Sequence, residues 1–230
     1  MATFVLVHGA WHGRWCWSRV SERLDDMGHE VVAPTLTGLA DRQASLGPEV
    51  DLGTHIADVT GLIEGLPSID LFLCGHSYGG MVISGAAESI GERLSGIVFI
   101  DAFLPEDGDS CMKLGDASSE PDVALPPPPV ELFALRDPDD VRWVGEMMTP
   151  HPANTLLDPV HLTGARERVP NKYYIWSTPG PGDAFAKASA RVSNDPSWHV
   201  CKMDTGHHPM LDDPAGLAQI LDNAVRTSSG

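Results

Sequence analysis

Positive charge is scarce in this sequence: 15 Lys and Arg stand against 32 Asp and Glu, a formal charge of −17. Nucleic acids and anionic membrane surfaces are held by clustered Lys and Arg, so neither is an expected partner, and the acidity reads as a well-solvated surface. Long apolar runs are missing too. Met1 leads at once into a short apolar strand, with no basic segment before it, and no later window is long enough to span a bilayer. A soluble, cytoplasmic protein is expected. Cysteine is sparse, and Cys16, Cys74, Cys111 and Cys201 show no C-x-x-C spacing. That argues against a disulfide framework or a structural zinc site and for free thiols. His8 and His12 stand four apart, but they leave a strand rather than share a helical face, so no metal site and no cofactor is expected.

What is present is alternation. Thr3–Val7, His29–Leu36, a run from near Asp70, Leu94–Asp101, Lys172–Ser177 and Trp198–Met203 read as strands. Between them lie helical patterns at Cys16–Gly28, after Asp51 or Thr54 as the cap, after the serine turn described below, at Asp183–Val192 and at Pro214–Val225. Six strands alternating with helices predict an α/β fold with a mostly parallel, doubly wound sheet. From Glu106 to about Arg168 prolines cluster and the helical pieces, Val130–Leu135 and Asp139–Met148, are short. The expected organisation is a core of residues 1–105 and 169–230 with a cap, 106–168, inserted over the carboxyl ends of the strands, where ligands bind in open α/β sheets. No internal repeat is present.

The chemistry gathers at Leu71 to Val82, where an apolar run ends in Gly75-His76-Ser77-Tyr78-Gly79 and resumes with helical spacing. Strand, sharp turn and helix around G-x-S-x-G make a nucleophile elbow, in which the residues beside the serine must be small. The alternative is a glycine-rich turn whose serine only caps the helix. A serine hydroxyl needs a base to take its proton, and ten histidines compete for that role. His207 follows the last strand and precedes the last helix, the position expected of the base, while its neighbour His208 is expected to face elsewhere. His29, His55, His151, His161 and His199 carry no partner pattern and read as ordinary surface or core residues. Two amides must meet the developing oxyanion, that of the residue after the nucleophile, Tyr78, and one from the loop after the first strand, Ala10.

The segments His8 to Trp17, Gly75 to Gly80 and Gly206 to Leu211 resemble the α/β-hydrolase branch that holds plant methylesterases and hydroxynitrile lyases, and similar bacterial esterases and carbamate-cleaving hydrolases. The resemblance spans nearly the whole chain and is weakest in the cap. By matching positions it implies an α/β-hydrolase fold, Ser77 as nucleophile, His207 as base, Ala10 and Tyr78 as oxyanion donors, and an apolar pocket under the cap. Gly9, Trp11 and His12 of the first loop and Phe133, Trp143 and Met147 of the cap are expected to bind substrate. The third member departs from the pattern. Plant relatives carry an aspartate soon after the penultimate strand, where this chain reads Ser177-Thr178-Pro179-Gly180. Asp183 follows, but its simplest reading is the cap of the helix starting at Ala184. Asp101 ends the strand after the elbow, a site some relatives of this fold use, and a buried strand-end carboxylate needs a partner such as His207. Asp101 is therefore favoured over Asp183.

The leading functional expectation is hydrolysis of a small, largely apolar ester or carbamate through an acyl-serine, with a small-molecule partner and a homodimer as the oligomer to test. Carbon–carbon lysis of hydroxynitriles is the alternative, but the resemblance implies a threonine and a lysine for that chemistry where Gly9 and His208 stand. A small-molecule receptor or carrier on the same fold is the third reading, and the intact Ser77 and His207 argue against it.

Overall fold

In the sheet, alternate residues of each strand feed opposite faces, and both faces are apolar. Phe4, Leu6, Phe72, Cys74, Val98 and Ile100 pack one way with helices α1 (Ser18–Asp26) and α10 (Pro214–Ser228), while Val5, Val7, Leu71, Leu73, Ile97 and Phe99 pack the other way with α2 (Leu52–Glu64), α3 (Gly79–Ile90) and α8 (Asp183–Val192). Period-two alternation between two apolar faces is what a sheet covered by helices on both sides requires. The computed structural model describes residues 1–67, 70–115, 123–177 and 183–228.

The main sheet holds β1 (Thr3–Val7), β2 (Glu30–Val32), β3 (Leu71–His76), β4 (Leu94–Ile100), β7 (Asn171–Ser177) and β8 (Trp198–Met203), in spatial order β2-β1-β3-β4-β7-β8. Every pairing is parallel. Because β1 lies between β2 and β3, the chain first steps outward from β1 and then crosses back over it. That reversal opens a crevice at the carboxyl ends of β1 and β3, where a ligand site forms in such sheets. The loop after Val7 and the elbow after His76 both open into it.

Between β4 and β7 the chain leaves the sheet through α4 (Cys111–Leu114), a two-residue strand β5 (Ala124–Leu125), α5 (Pro138–Met147), β6 (His151–Pro152), α6 (Asn154–Leu157) and α7 (Ala165–Arg168). β5 pairs antiparallel with β6, a ribbon too short to leave a periodic signal in the sequence. α5 is tied to the core by Arg19 of α1, whose guanidinium grips Asp140 with Nη1 at 2.8 Å and Nη2 at 2.5 Å and reaches the Leu211 carbonyl at 3.3 Å.

Differences from the expected elements have local causes. β2 stops at Val32 rather than Leu36 because Pro34 has no N–H to offer a ladder, and the Leu36 amide instead donates to His8 Nε2 at 3.1 Å. A one-turn helix, α9 (Pro209–Asp212), follows the histidine loop, with proline in its first turn. α2 is capped by Asp51, with Thr54 returning the bond as a capping box. Helix α8 begins at Asp183 itself. The stretch from Thr178 to Gly182 and the side chain of Asp183 lie outside the described residues. Among the described residues no helix is long and apolar enough to cross a membrane.

Candidate active site

β3 ends with its backbone committed to a turn that only small neighbours permit. Ser77 has φ of 52°, in the left-handed region that costs a non-glycine residue about 1–3 kcal/mol, and it is held there from three sides. Its N–H donates to Ile100 O at 3.3 Å, and its carbonyl accepts from Gly80 N at 3.0 Å and Phe103 N at 3.1 Å. A Cβ at Gly80 would sit 2.0 Å from Phe103 O, so alanine there is excluded. A Cβ at Gly9 would come within 3.0 Å of Ser77 Cβ and His76 Nδ1, so any larger residue there would push the elbow back by a few tenths of an ångström. Gly9 thus abuts the serine without lining the cavity.

His207 enters from the loop after β8. Its Nε2 lies 3.0 Å from Ser77 Oγ and its Nδ1 2.6 Å from Asp101 Oδ2. A carboxylate only accepts, so Nδ1 carries the proton and Nε2 is free to accept from the Ser77 hydroxyl. Asp101 ends β4 with φ of 41°, is fully buried, and takes the Ser177 N–H on its other oxygen at 3.1 Å. The imidazole ring is stacked between Phe133 (5.9 Å, 19° between planes) and Phe185 (5.0 Å, 20°), and the His207 backbone is pinned at both ends, its N–H to Phe133 O and its carbonyl to His76 Nε2–H.

Ser77, Tyr78, Ala10 and His207 open into a cavity of about 380 Å³. Among the described residues neither the Ala10 nor the Tyr78 amide donates to another group of the chain. The remaining wall is almost wholly apolar: Trp11, Phe103 and Phe185, with Leu125, Leu132 and Phe133 from the segment between β4 and β7. Of the residues expected to bind substrate, Trp11 and Phe133 are there. Trp143 and Met147 are not. They stand four apart on a face of α5 turned away from the cavity, with Trp143 edge-on to Trp15 at 5.0 Å and under the Arg19 guanidinium at 5.7 Å and Met147 exposed. Met147 lies with Arg14, Trp15 and Ala40 at a separate surface depression. His12 is also absent from the cavity, turned away onto the Trp15 ring.

Phe103 and Phe185 were not anticipated as pocket residues. Phe103 had a signal, standing two residues after the strand-end Asp101. Phe185, near the start of α8, had none.

Eight of the ten histidines are buried: His8, His12, His29, His55, His76, His151, His207 and His208. His208 does not face solvent; its Nε2 meets His12 Nε2 at 2.8 Å. His8 and His12 do not face one another as ligands. Each donates Nδ1–H to a loop carbonyl, to Gly9 O at 2.8 Å and Ala10 O at 2.7 Å. Burial pushes His8 down to about 3 and His12 and His55 to about 4, and holds His76 and His208 well below the ordinary imidazole range. The rings around His207 are therefore neutral, so positive charge forming on His207 faces the Asp101 carboxylate and no competing cation.

Residues 4–220 match the sequence model of the alpha/beta hydrolase family. A carbendazim hydrolyzing esterase of Nocardioides sp. (strain SG-4G) is 39% identical over 96% of this chain and 98% of its own length. Methyl jasmonate esterase 1 of Vitis vinifera is 26% identical over 98% of this chain and 97% of its own. In structure, tomato methylketone synthase I complexed with 2-tridecanone superimposes with a TM-score of 0.81 at 21% identity, covering 99% of this chain and 98% of that one, a likeness of fold. With the family model spanning nearly its whole length and a relative this similar over the same span, the chain belongs to the alpha/beta hydrolase family.

Proposed function

We propose that the chain is a carboxylesterase-type serine hydrolase that cleaves small, largely apolar esters or carbamates through an acyl-Ser77 intermediate. The observation that carries the reading is the line of atoms Asp101 Oδ2, His207 Nδ1 and Nε2, and Ser77 Oγ, spaced 2.6 Å and 3.0 Å, at the floor of an apolar cavity of about 380 Å³. A cavity of that size suits one small organic molecule.

The substrate carbonyl oxygen points at the Ala10 and Tyr78 amides. Ser77 Oγ attacks the carbonyl carbon as its proton passes to His207 Nε2, and the negative charge moves onto the oxygen held by the two amides. Asp101 stabilises the imidazolium without taking its proton. Collapse breaks the bond to the leaving alcohol, which receives that proton from His207. Water then repeats the sequence on the acyl-serine, releasing the acid and restoring Ser77. The positive end of α3, which starts at Gly79 directly behind the nucleophile, favours charge at the same oxygen.

Neither residue that the lyase reading calls for is present. Gly9 and His208 stand in their places, and a threonine at position 9 would require the elbow to shift, since even its Cβ would crowd Ser77. The relative named for carbendazim hydrolysis makes that methyl carbamate a member of the test panel. p-Nitrophenyl esters of increasing acyl length, methyl esters of aromatic acids and carbendazim, each with wild type and Ser77→Ala, test the reading. Turnover of one or more that vanishes in Ser77→Ala supports it; cyanide release from mandelonitrile with no ester turnover would overturn it.

A further inference from the structure

The loop after β1 has no regular structure between Val7 and Arg14, yet the backbone beside Ala10 is bonded group by group. His12 Nδ1–H donates to Ala10 O at 2.7 Å, Trp11 N–H donates to His151 Nδ1 at 3.2 Å, and Thr149 N–H donates to Trp11 O at 3.0 Å. The peptide joining Ala10 to Trp11 is therefore gripped at both polar ends by buried imidazoles, one from its own loop and one from β6 of the cap. Trp11 also has φ of 64°, a left-handed conformation that a tryptophan keeps only when its surroundings impose it. Its indole N–H is held as well, by Leu125 O of β5 at 3.0 Å.

The bonds assign every tautomer. With Nδ1 of His12 donating, its Nε2 must accept, and His208 Nε2–H supplies the proton across 2.8 Å. With Nδ1 of His151 accepting, its Nε2–H donates to Thr155 Oγ1 at 2.7 Å, and the Thr155 hydroxyl passes its own proton to Pro152 O at 2.7 Å. Each ring works only while neutral, and burial keeps both so.

We propose that His12 and His151 are positioning residues of the oxyanion hole: by clamping the Ala10–Trp11 peptide from the loop side and the cap side they fix Ala10, whose N–H lies on the adjoining Gly9–Ala10 peptide, itself held by His8 Nδ1–H on Gly9 O at 2.8 Å. The proposal rests on the reading of Ala10 as an oxyanion donor. It gives the cap a second task besides walling the pocket, since without β6 one end of the peptide has no acceptor. Removing a whole oxyanion donor costs about 10²–10³ in rate, so loosening one hold on the peptide next to the donor is expected to cost less, about 10- to 100-fold.

His151→Leu removes the acceptor and keeps most of the bulk, whereas His151→Asn puts a carbonyl oxygen close to where Nδ1 stood. The expected result is a kcat about 10- to 100-fold lower in His151→Leu with KM within about twofold, and recovery to within a few fold of wild type in His151→Asn. A trifluoromethyl ketone, which Ser77 converts to a tetrahedral oxyanion, should lose affinity for His151→Leu by the same factor as kcat, while the matching methyl ketone should not. Thr155→Val, nearly isosteric, frees the His151 tautomer and should lower kcat several fold without changing KM, which keeps the test decisive if His151→Leu fails to fold. Equal activity in His151→Leu and wild type, equal damage in the Leu and Asn variants, or parallel loss of both ketones would overturn the clamp. Failure of wild type to react with a serine-directed phosphonate would instead remove the hydrolase reading, and the clamp with it; wild-type labelling beside an unimpaired His151→Leu would sink the clamp alone.

Discussion

Acid is the perturbation this core is least built to absorb. Burial holds His8 down to about 3 and His12 and His55 to about 4, against an ordinary 6.5. In the unfolded chain these rings take up protons below 6.5, while in the fold they stay neutral, so the unfolded state binds more protons and stability falls as pH drops from 6.5 toward about 4. Three such groups together set a slope of roughly 4 kcal/mol per pH unit, large against a typical total stability of about 5–15 kcal/mol. His76, His151 and His208, also held well below the ordinary range by burial, act in the same direction. Urea unfolding followed by tryptophan fluorescence at fixed pH values between 8 and 5 reads the effect. The midpoint should be nearly flat above about pH 7 and fall steeply below about pH 6, with most of the stability gone near pH 5. A midpoint unchanged from pH 7.5 to 5 would refute the assignment of these rings as buried and neutral.

Asp101→Asn should lower kcat by about 10⁴-fold with little change in KM, because the amide cannot hold the His207 tautomer or stabilise the imidazolium. Asp183→Asn, measured on the same ester, should be nearly silent, and the reverse pattern would move the acid to Asp183. His208→Ala should cost about 2–4 kcal/mol in a thermal melt, since it hollows a buried site and removes the proton that His12 Nε2 accepts. Asp140→Ala should lower stability by about 1 kcal/mol, the half-exposed Arg19 losing a partner that anchors α5, and leave kcat near wild type.

How much of this was legible in the sequence depended on the range of the interaction. The central strands announce themselves because a strand buried on both faces is an unbroken apolar run, as in Phe4 to Val7 and Leu71 to Cys74. The elbow announces itself because its steric demands are met within five residues. That Asp101 terminates β4 could be read from the apolar run before it, and its meeting with His207 follows from which sheet edge both loops share. The cap was harder. Trp143 and Met147 share one face of α5, but spacing alone does not say whether that face meets the pocket; in the fold Trp143 lies on Trp15 and Arg19, and Met147 is exposed. The histidine pairings were invisible for a related reason: His12 with His208 and Trp11 with His151 join residues 196 and 140 positions apart, and an isolated histidine carries no periodic signal.

The claim that chemistry runs through an acyl group on Ser77 is tested most directly by mass. Wild type mixed briefly with a p-nitrophenyl ester that it turns over, quenched in acid and digested, should yield the peptide bearing Ser77 heavier by one acyl group, and Ser77→Ala should yield none. Continued turnover with no adduct on that peptide, or an adduct on another residue, would contradict it.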